Sequence, residues 1–346
     1  MSPTTLTNTE RIQALMRFGY TEREAAFICL VALSGGFFLR RQFCTFAQTG
    51  KGGASTTLIE KLIQKEHGRA VTGFRNLHVH HISARPIYNA IGQENSRSRR
   101  ERAPVAMKNK LMGLDFVLEH RGHSYLMTEQ EKVSYFTTTL GIDIADLPVK
   151  EFRSPNAENS TSRYFIDKYP IFLPGNAGEI PLVSFTFIDE GIVTSSRFET
   201  YLHQCARLFA RLDRFAVIYV AGSEQPFASA EKAFEGFLSG GGRHYLDRLR
   251  AADPKRLAEY FVRQHLWETK QLDSWGTAEF IQLRNYRAEF SGPFYKALYN
   301  RWKTFGDQAF QDVFGNRQPA IDPSRACFST CLLPHNYDVF GSSRIQ

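Results

Sequence analysis

The chain has 346 residues, which is long enough to bury a substantial core and favours two domains. With 42% hydrophobic and 23% charged residues it has the composition of a globular protein, which excludes a largely disordered chain. No apolar run approaches the ~20 residues that span a bilayer, and the first residues lack the apolar core of a signal peptide. We therefore expect a cytoplasmic protein with no membrane partner.

The net charge of +8 is distributed unevenly. Residues 1–110 hold 17 Lys and Arg against 7 Asp and Glu, an excess of ten positive charges, whereas the rest of the chain has a net charge of −2. This asymmetry is typical of a polyanion-binding module joined to a nearly neutral body, and nucleic acid is the polyanion we expect. Solvated surface lysines would give a weaker version of the same pattern.

Three helical patterns open the chain. The first ends before Gly19, and the second begins at a capping box made by Thr21 and Glu24 and is mostly apolar. The third is predicted for the segment FFLRRQFCTFAQ, which carries the adjacent pair Arg40 and Arg41.

The stretch from Thr49 to Ile91 predicts a further helix and then a β-hairpin. An N-cap is expected at Ser55 or Thr56, and two apolar runs on either side of a turn predict the two strands. Helices followed by a hairpin with basic edges are the outline of a winged helix, which we predict for residues 1–92. A small α+β module that binds protein, or nothing, is the alternative.

In a winged helix the recognition helix enters the major groove while the hairpin lies along the DNA backbone. The candidate base-reading residues are Ser55, Thr56, Thr57, Glu60 and Gln64. The candidate phosphate contacts are the basic residues around them, namely Arg40, Arg41, Lys51, Lys61, Lys65, Arg69, Arg75 and Arg85. Double-stranded DNA is thus the expected partner. A homodimer would suit a protein that reads a palindrome, although no heptad repeat supports one.

Residues 93–104 predict a polar, basic linker that ends at a proline. Its arginines would follow the phosphate backbone and add salt-dependent affinity, and the candidates are Arg97, Arg99 and Arg100. A solvated segment without DNA contacts is an equally good interpretation.

Residues 105–240 predict a small α/β core that fits a restriction-endonuclease-like body. Strand patterns occur at LPVKEFRS, SRYFIDKYPIFL, PLVSFTFID and RFAVIYVAG, with an amphipathic helix before the last. Residues 241–346 are predicted to be mainly helical, with a short strand and a loop at the end. The overall class is therefore α+β or α/β, and the aromatic C-terminal helices are a candidate surface for a protein partner.

The segments YTEREAAFICLVALSGGFFLRRQF, FIDKYPIFL and VSFTFIDEGIVTSSRFETYLHQCARLFARLDRFAVIYVAG carry a resemblance that covers roughly residues 15–240. In the order of these parts and in their hydrophobic pattern, they resemble the replication-relaxation family of plasmids and other mobile elements. The resemblance implies a DNA-binding winged helix, a body similar to a restriction-endonuclease fold, and a role in maintaining or controlling a mobile element.

A metal-dependent nuclease is the alternative function for such a body. It would need an Asp at a strand end, then an acidic residue, any residue and Lys on the next strand, which together bind a divalent metal. Asp167 and Asp189 occupy suitable places, but Gly191 follows two residues after Asp189 and residues 189–200 contain no Lys. We therefore predict a non-enzymatic regulator, or a replication or transfer accessory protein. An assembly factor that binds another protein is a third hypothesis.

No cofactor or metal site is predicted. The segment KGGASTT resembles the phosphate loop of partition ATPases, but Ala54 stands where such a loop needs Lys. Two groups have the residue types of zinc ligands without a complete set. They are His78, His80 and His81, which we expect at a groove edge or surface, and Cys327, Cys331 and His335. The five scattered cysteines are expected to be reduced thiols.

Overall fold

The computed structural model describes residues 6–50, 52–71, 78–153, 160–165, 169–173, 182–191, 196–239, 252–310, 321–335 and 337. It has a mixed α+β fold, as predicted. Contacts divide the chain into two compact units. The larger unit comprises Met1–Lys150, Arg163–Lys232 and Ser324–Gln346, and the helical unit comprises Glu151–Ser162 and Ala233–Pro323. This grouping differs from the predicted domains because the N-terminal residues, the α/β core and the C-terminal tail share one unit.

Residues 8–91 of the larger unit form a region that we call the head. Its elements are α1 (Asn8–Met16), α2 (Glu22–Ser34), β1 (Phe37–Leu39), α3 (Arg40–Ala47), α4 (Gly53–Gln64), β2 (Gly68–Val71), β3 (Val79–Ile82) and α5 (Arg85–Ala90). The predicted capping box at α2 is confirmed: the Thr21 hydroxyl accepts from the Glu24 amide, and the Glu24 carboxylate accepts from the Thr21 amide.

The three strands of the head form an antiparallel sheet in the order β1-β3-β2. The predicted third helix was wrong at its start, because Phe37–Leu39 is a strand and the helix begins only at Arg40. All three residues of β1 are buried, and Phe38 lies opposite His80 of β3. Pairing with a strand forty residues away thus overrides the local helical pattern.

The turn from α2 into β1 depends on a glycine. Gly36 has a φ of +89°, and a Cβ there would lie 2.8 Å from the carbonyl oxygen of Ser98. Both facts exclude a side chain at this position. The tight turn brings β1 back against β3, where the Gly36 carbonyl accepts a hydrogen bond from the Ile82 amide.

The N-cap expected at Ser55 or Thr56 was also wrong. Helix α4 begins at Gly53, with Gly52 as its N-cap and no side-chain capping bond. Ser55 lies inside the first turn and is only 2% exposed, and it donates a hydrogen bond to the Gly52 carbonyl. The helix ends at Gln64 rather than running up to Gly68.

The predicted linker is partly packed. A short 3₁₀ turn covers Arg97–Arg99, and Ser98 is 3% exposed. The Ser98 carbonyl accepts a hydrogen bond from Nε2 of His81 at 2.7 Å, which ties this turn to strand β3. The next element, α6 (Pro104–Glu119), buries ten of its sixteen residues and is the central helix of the larger unit.

Beyond α6 the larger unit contains a second sheet. The elements are β4 (Ser124–Tyr125), α7 (Glu129–Ser134), β7 (Ile171–Leu173), β8 (Val183–Asp189), α8 (Ser196–Arg211), β9 (Phe215–Ala221) and β10 (Ala326–Leu332). A separate two-stranded sheet, β5 (Val149–Arg153) with β6 (Ser160–Tyr164), precedes β7 in the chain, and residues 151–153 and 160–162 of it belong to the helical unit. The order in the second sheet is β10-β9-β8-β7-β4, with β8, β9 and β10 parallel and β7 antiparallel to β8 and β4. Its central strand β8 has all seven residues buried.

Two predictions about this part of the chain need correction. The segment SRYFIDKYPIFL was predicted as one strand, but it contributes to two elements, β6 and β7, in different sheets. The short strand predicted near the C-terminus is present as β10, but it lies in the larger unit beside β9 and not in a separate helical region.

The helical unit has the mainly helical structure that the sequence predicted. Its helices, the first of which starts in the larger unit, are α9 (Phe227–Leu238), α10 (Pro254–Glu268), α11 (Thr277–Glu289), α12 (Pro293–Phe305) and α13 (Gln308–Phe310). Aromatic side chains fill its core, including Phe261, Tyr286, Phe290 and Tyr299. Within the described ranges, no helix combines the length and apolar character needed to cross a membrane.

Candidate nucleic-acid interface

Helix α4 is amphipathic, with one face in the core of the head and the other in solvent. Leu58 and Leu62 are at most 3% exposed and pack in the same core as α2. Thr57, Glu60 and Gln64 are exposed and follow one another at spacings of three and four residues, which places them on one helix face. Thr56 lies half-buried beside them. The sequence-predicted base-reading residues other than Ser55 therefore retain access to solvent.

The start of α4 is held by Arg40 and Ser55. Arg40 Nε donates to Ser55 Oγ at 2.7 Å, and Arg40 Nη2 donates to the Gly52 carbonyl at 3.3 Å. Ser55 is buried, so it cannot contact a base edge; its role here is to fix Arg40. The exposed Arg40 is thereby held at the amino end of α4, where the helix dipole also favours an anion. Lys51 lies outside the described residues.

The two lysines of the α4 region have different environments. The Lys61 ammonium contacts both carboxylate oxygens of Glu24, at 2.9 and 3.0 Å, and so joins α4 to α2. Lys65, in the turn after the helix, is exposed. Of the two, Lys65 is therefore the more accessible to a phosphate.

Arg41 is part of an internal ion pair. Its two terminal nitrogens donate to the two carboxylate oxygens of Asp115, both at 2.6 Å, and Asp115 is 3% exposed. The Tyr337 hydroxyl also donates to Asp115. Burial lowers the pKa of Arg41, but its hydrogen bonds and charge attraction to Asp115 outweigh this and raise it overall. In place of the predicted phosphate contact, Arg41 links α3 to α6.

The basic residues of the hairpin and the following segment are mostly accessible. Arg69 forms a 2.7 Å ion pair with Glu101, but both side chains are largely in water, where such pairs contribute at most about 1 kcal/mol. A phosphate can compete for such a guanidinium. Other exposed candidates are Arg85, Arg97 and Arg100, whereas Arg99 is half-buried. Arg75 lies outside the described residues.

The histidines of β3 are buried rather than placed at the surface as expected. His80 is 8% exposed and His81 is 1% exposed. The His81 ring stacks on Phe37 with centroids 4.1 Å apart, and the His80 ring packs against Phe38. Burial lowers the pKa of His80 to about 4 and also lowers the pKa of His81. Both rings are thus neutral packing groups in the fold near pH 7.

The end of strand β8, where nuclease chemistry was considered, is a closed polar network. Asp189 accepts from the Tyr219 hydroxyl at 2.5 Å and from the Gly191 amide at 2.8 Å. The neighbouring Glu190 is 2% exposed and accepts from Asn109 at 2.6 Å and from Arg197 at 2.7 Å. Both carboxylates already have internal hydrogen-bond donors.

Burial and the hydrogen bond to Asp189 raise the pKa of Tyr219, so its hydroxyl stays protonated and remains a donor. Asp167 lies outside the described residues. In the part of the chain that is described, no three His, Cys, Asp or Glu side chains come together as a metal site. Sequence reasoning missed Glu190, Asn109 and Tyr219, because their partners are distant along the chain.

A small cavity lies in the larger unit between the end of α2, helix α6 and strand β8. Its volume is about 20 Å³, which is space for about one water molecule and far too little for a nucleotide. Its polar lining includes Ser34, Asn109, Lys110 and Lys132. The exposed face of α4 is therefore a better candidate for a functional site than this cavity.

Comparison of the chain with known proteins gave no match among protein-family models, curated proteins or solved structures. The resemblance to the replication-relaxation family accordingly stays a prediction.

Proposed function

We propose that the head is a winged helix and that the protein binds double-stranded DNA through helix α4 and the β2–β3 hairpin. The observation that carries the proposal is the element order of the head. A helix leads into strand β1, helices α3 and α4 follow, and β2 and β3 return to give an antiparallel sheet in the order β1-β3-β2. This arrangement supports a recognition helix with one face exposed beside a hairpin.

The chemistry of the exposed face supports DNA as the ligand. Thr57, Glu60 and Gln64 offer hydroxyl, carboxylate and amide groups at helical spacing, and such groups read base edges in a major groove. Arg40 at one end of α4 and Lys65 at the other supply positive charge. The surplus of ten positive charges in residues 1–110 supports a phosphate-dependent, salt-sensitive mode of binding.

The contacts divide the predicted residues into three groups. Thr56, Thr57, Glu60 and Gln64 are assigned to base reading, and Arg40, Lys65, Arg69 and Arg85 to phosphates. Ser55, Lys61 and Arg41 are assigned to the framework, because each is buried or paired internally. The resemblance stated above extends the proposal to a non-enzymatic regulator, or a replication or transfer accessory factor, of a mobile element.

The first test is selection from a pool of random DNA duplexes at two salt concentrations with magnesium present. Enrichment of a motif in intact duplexes is the expected result. Cleaved DNA would instead support the nuclease alternative, and failure to retain any duplex would contradict the proposal.

Two variants then separate the roles on α4. Lys65→Ala should weaken binding to all duplexes alike and lower the slope of log affinity against log salt by about one, because one phosphate contact is lost. Gln64→Ala should change the preferred base at one position with little change of slope. Lys255→Ala, on an exposed position of the helical unit, is the matched control and should leave both quantities unchanged. Identical effects of the two α4 variants on every sequence would contradict the assignment.

A further inference from the structure

Strand β10 forms one edge of the five-stranded sheet, and the two edges of that sheet differ. At one edge, β4 has only two residues, which offers little length for pairing with a further strand. At the other, β10 has seven residues, all paired with β9 on one side. No described strand pairs with the other side of β10. On that side of β10 the backbone donors and acceptors form a row about 23 Å long that has no strand partner among the described residues.

The residues of β10 do not protect this edge. Natural edge strands are usually blocked by charges, prolines or bulges, because an open edge recruits other strands. The sequence ACFSTCL contains no charged residue, no proline and no glycine. Leu332 is 46% exposed, and Cys327, Ser329 and Thr330 are also exposed. An uncharged, seven-residue edge of this kind is suited to pairing with a partner strand.

We propose that β10 pairs antiparallel with β10 of a second copy of the chain, around a two-fold axis at Ser329. This register places small residues opposite large ones: Ala326 faces Leu332 of the second copy, and Phe328 faces Thr330. No like charges meet, because the strand has none. Pro334 ends the pairing, because proline has no amide hydrogen to donate. The proposal does not depend on DNA binding, although a two-fold dimer would suit a palindromic target.

The same register makes a specific prediction about the two cysteines of the strand. Cys327 and Cys331 are symmetric about Ser329, so each Cys327 lies directly opposite Cys331 of the second copy. Directly opposite residues in an antiparallel pair have Cα atoms about 4.5–5.5 Å apart, which is within the range of a disulfide. The other three cysteines, Cys29, Cys44 and Cys205, are buried, so they will not react with another copy.

The association itself is tested by the mass of the full chain in solution under reducing conditions. The wild type should be dimeric at about 10 µM, and Ser329→Lys should raise the dissociation constant about tenfold or more, because two lysines would meet at the axis. Ser329→Thr, which adds no charge at the same exposed position, is the control and should remain dimeric. A monomeric wild type, or a dimer unaffected by Ser329→Lys, would overturn the proposal.

The register is tested by oxidising the protein with diamide, which accepts the two electrons and two protons released when two thiols form a disulfide. Cys327→Ser and Cys331→Ser should each fail to form a covalent dimer alone, because each lacks one member of every pair. A mixture of the two variants should form one, joined through Cys331 of the first and Cys327 of the second. Burial raises the pKa of Cys331 to about 11, so its reactive thiolate is scarce at neutral pH, and the oxidation is run at about pH 8.5 to increase the thiolate fraction. Equal crosslinking of the separate variants and the mixture would contradict this register.

Discussion

Arg40 and Arg41 are adjacent in the sequence, yet they have opposite environments. Arg40 is exposed and is held at the start of α4 by Ser55 and the Gly52 carbonyl. Arg41, with 29% of its side chain exposed, forms two hydrogen bonds to the buried carboxylate of Asp115. A charge buried in this way is costly unless its partner is present, so Arg41 contributes to stability. Arg40 is the one left for an anionic ligand.

This difference predicts opposite phenotypes for two alanine variants. Arg41→Ala should lower the free energy of unfolding by about 3 kcal/mol, because Asp115 would remain buried without its cation. Arg40→Ala should change that free energy by less than about 1 kcal/mol and weaken DNA binding at all sequences. Urea unfolding and a binding titration measure the two effects. The assignment fails if Arg41→Ala unfolds like the wild type and loses DNA affinity in its place.

At the scale of elements, the three-stranded sheet of the head has histidines where apolar residues would be usual. His80 and His81 lie on the central strand β3, with their rings against Phe38 and Phe37 of β1. A protonated His80 imidazole would lose its hydration on burial, and the neighbouring His78 disfavours the charge further. Burial therefore favours the neutral form of the imidazole, and we expect the sheet to lose stability in acid.

The stability of the fold should fall as the pH is lowered from about 6.5 to about 4. The unfolded chain binds a proton at His80 near pH 6.5, whereas the folded protein does so only near pH 4. The unfolded state therefore binds more protons between these values, and stability decreases from about pH 6.5 down to about pH 4. The loss from His80 should be about 1 to 3 kcal/mol.

His80→Phe is the control for this pH dependence, because it keeps a ring against Phe38 and removes the titrating group. Denaturation midpoints of the wild type and His80→Phe would be compared between pH 7 and pH 4. The contribution of the carboxylates to the pH dependence is common to both proteins and cancels in the difference. Parallel pH profiles would show that His80 does not titrate differently on unfolding.

At the scale of the whole larger unit, helix α6 joins the head to the second sheet. Leu114 and Leu118 belong to the hydrophobic core of the head, while Asn109 of the same helix donates to Glu190 at the end of β8. Arg11 of α1 also pairs with Glu131 of α7 at 2.7 Å. The head and the sheet are therefore parts of one folded unit and are not separated by a free linker.

Truncating the chain before α6 should show that the head depends on this helix for its stability. A fragment of residues 1–92 lacks Leu114 and Leu118, whose burial contributes about 3 to 6 kcal/mol together, a large share of the ~5–15 kcal/mol that stabilises a typical domain. We expect it to show no cooperative thermal transition by circular dichroism. A fragment of residues 1–122, which restores α6, should regain one. A sharp transition in the shorter fragment would contradict the argument.

The sequence by itself determined the local elements of this protein. Helical periodicity and the Thr21–Glu24 capping box located α2, and continuous apolar runs located β8 and β9, because these signals depend only on neighbouring residues. The concentration of positive charge in the first 110 residues was also evident without a structure. The amphipathic pattern of α4 indicated which of its residues would face solvent, except at Ser55, whose hydroxyl is buried against Gly52.

Only the tertiary structure decided which partner each polar residue has. Whether Arg41 meets a phosphate or Asp115, 74 residues away, depends on how α3 packs against α6. The same is true of β1, which forms a strand because β3 lies beside it, and of β10, which joins β9 from the far end of the chain. The physical reason is that burial, ion pairs and strand pairing are properties of residues brought together by folding, and their separation in sequence is too large for local patterns to record.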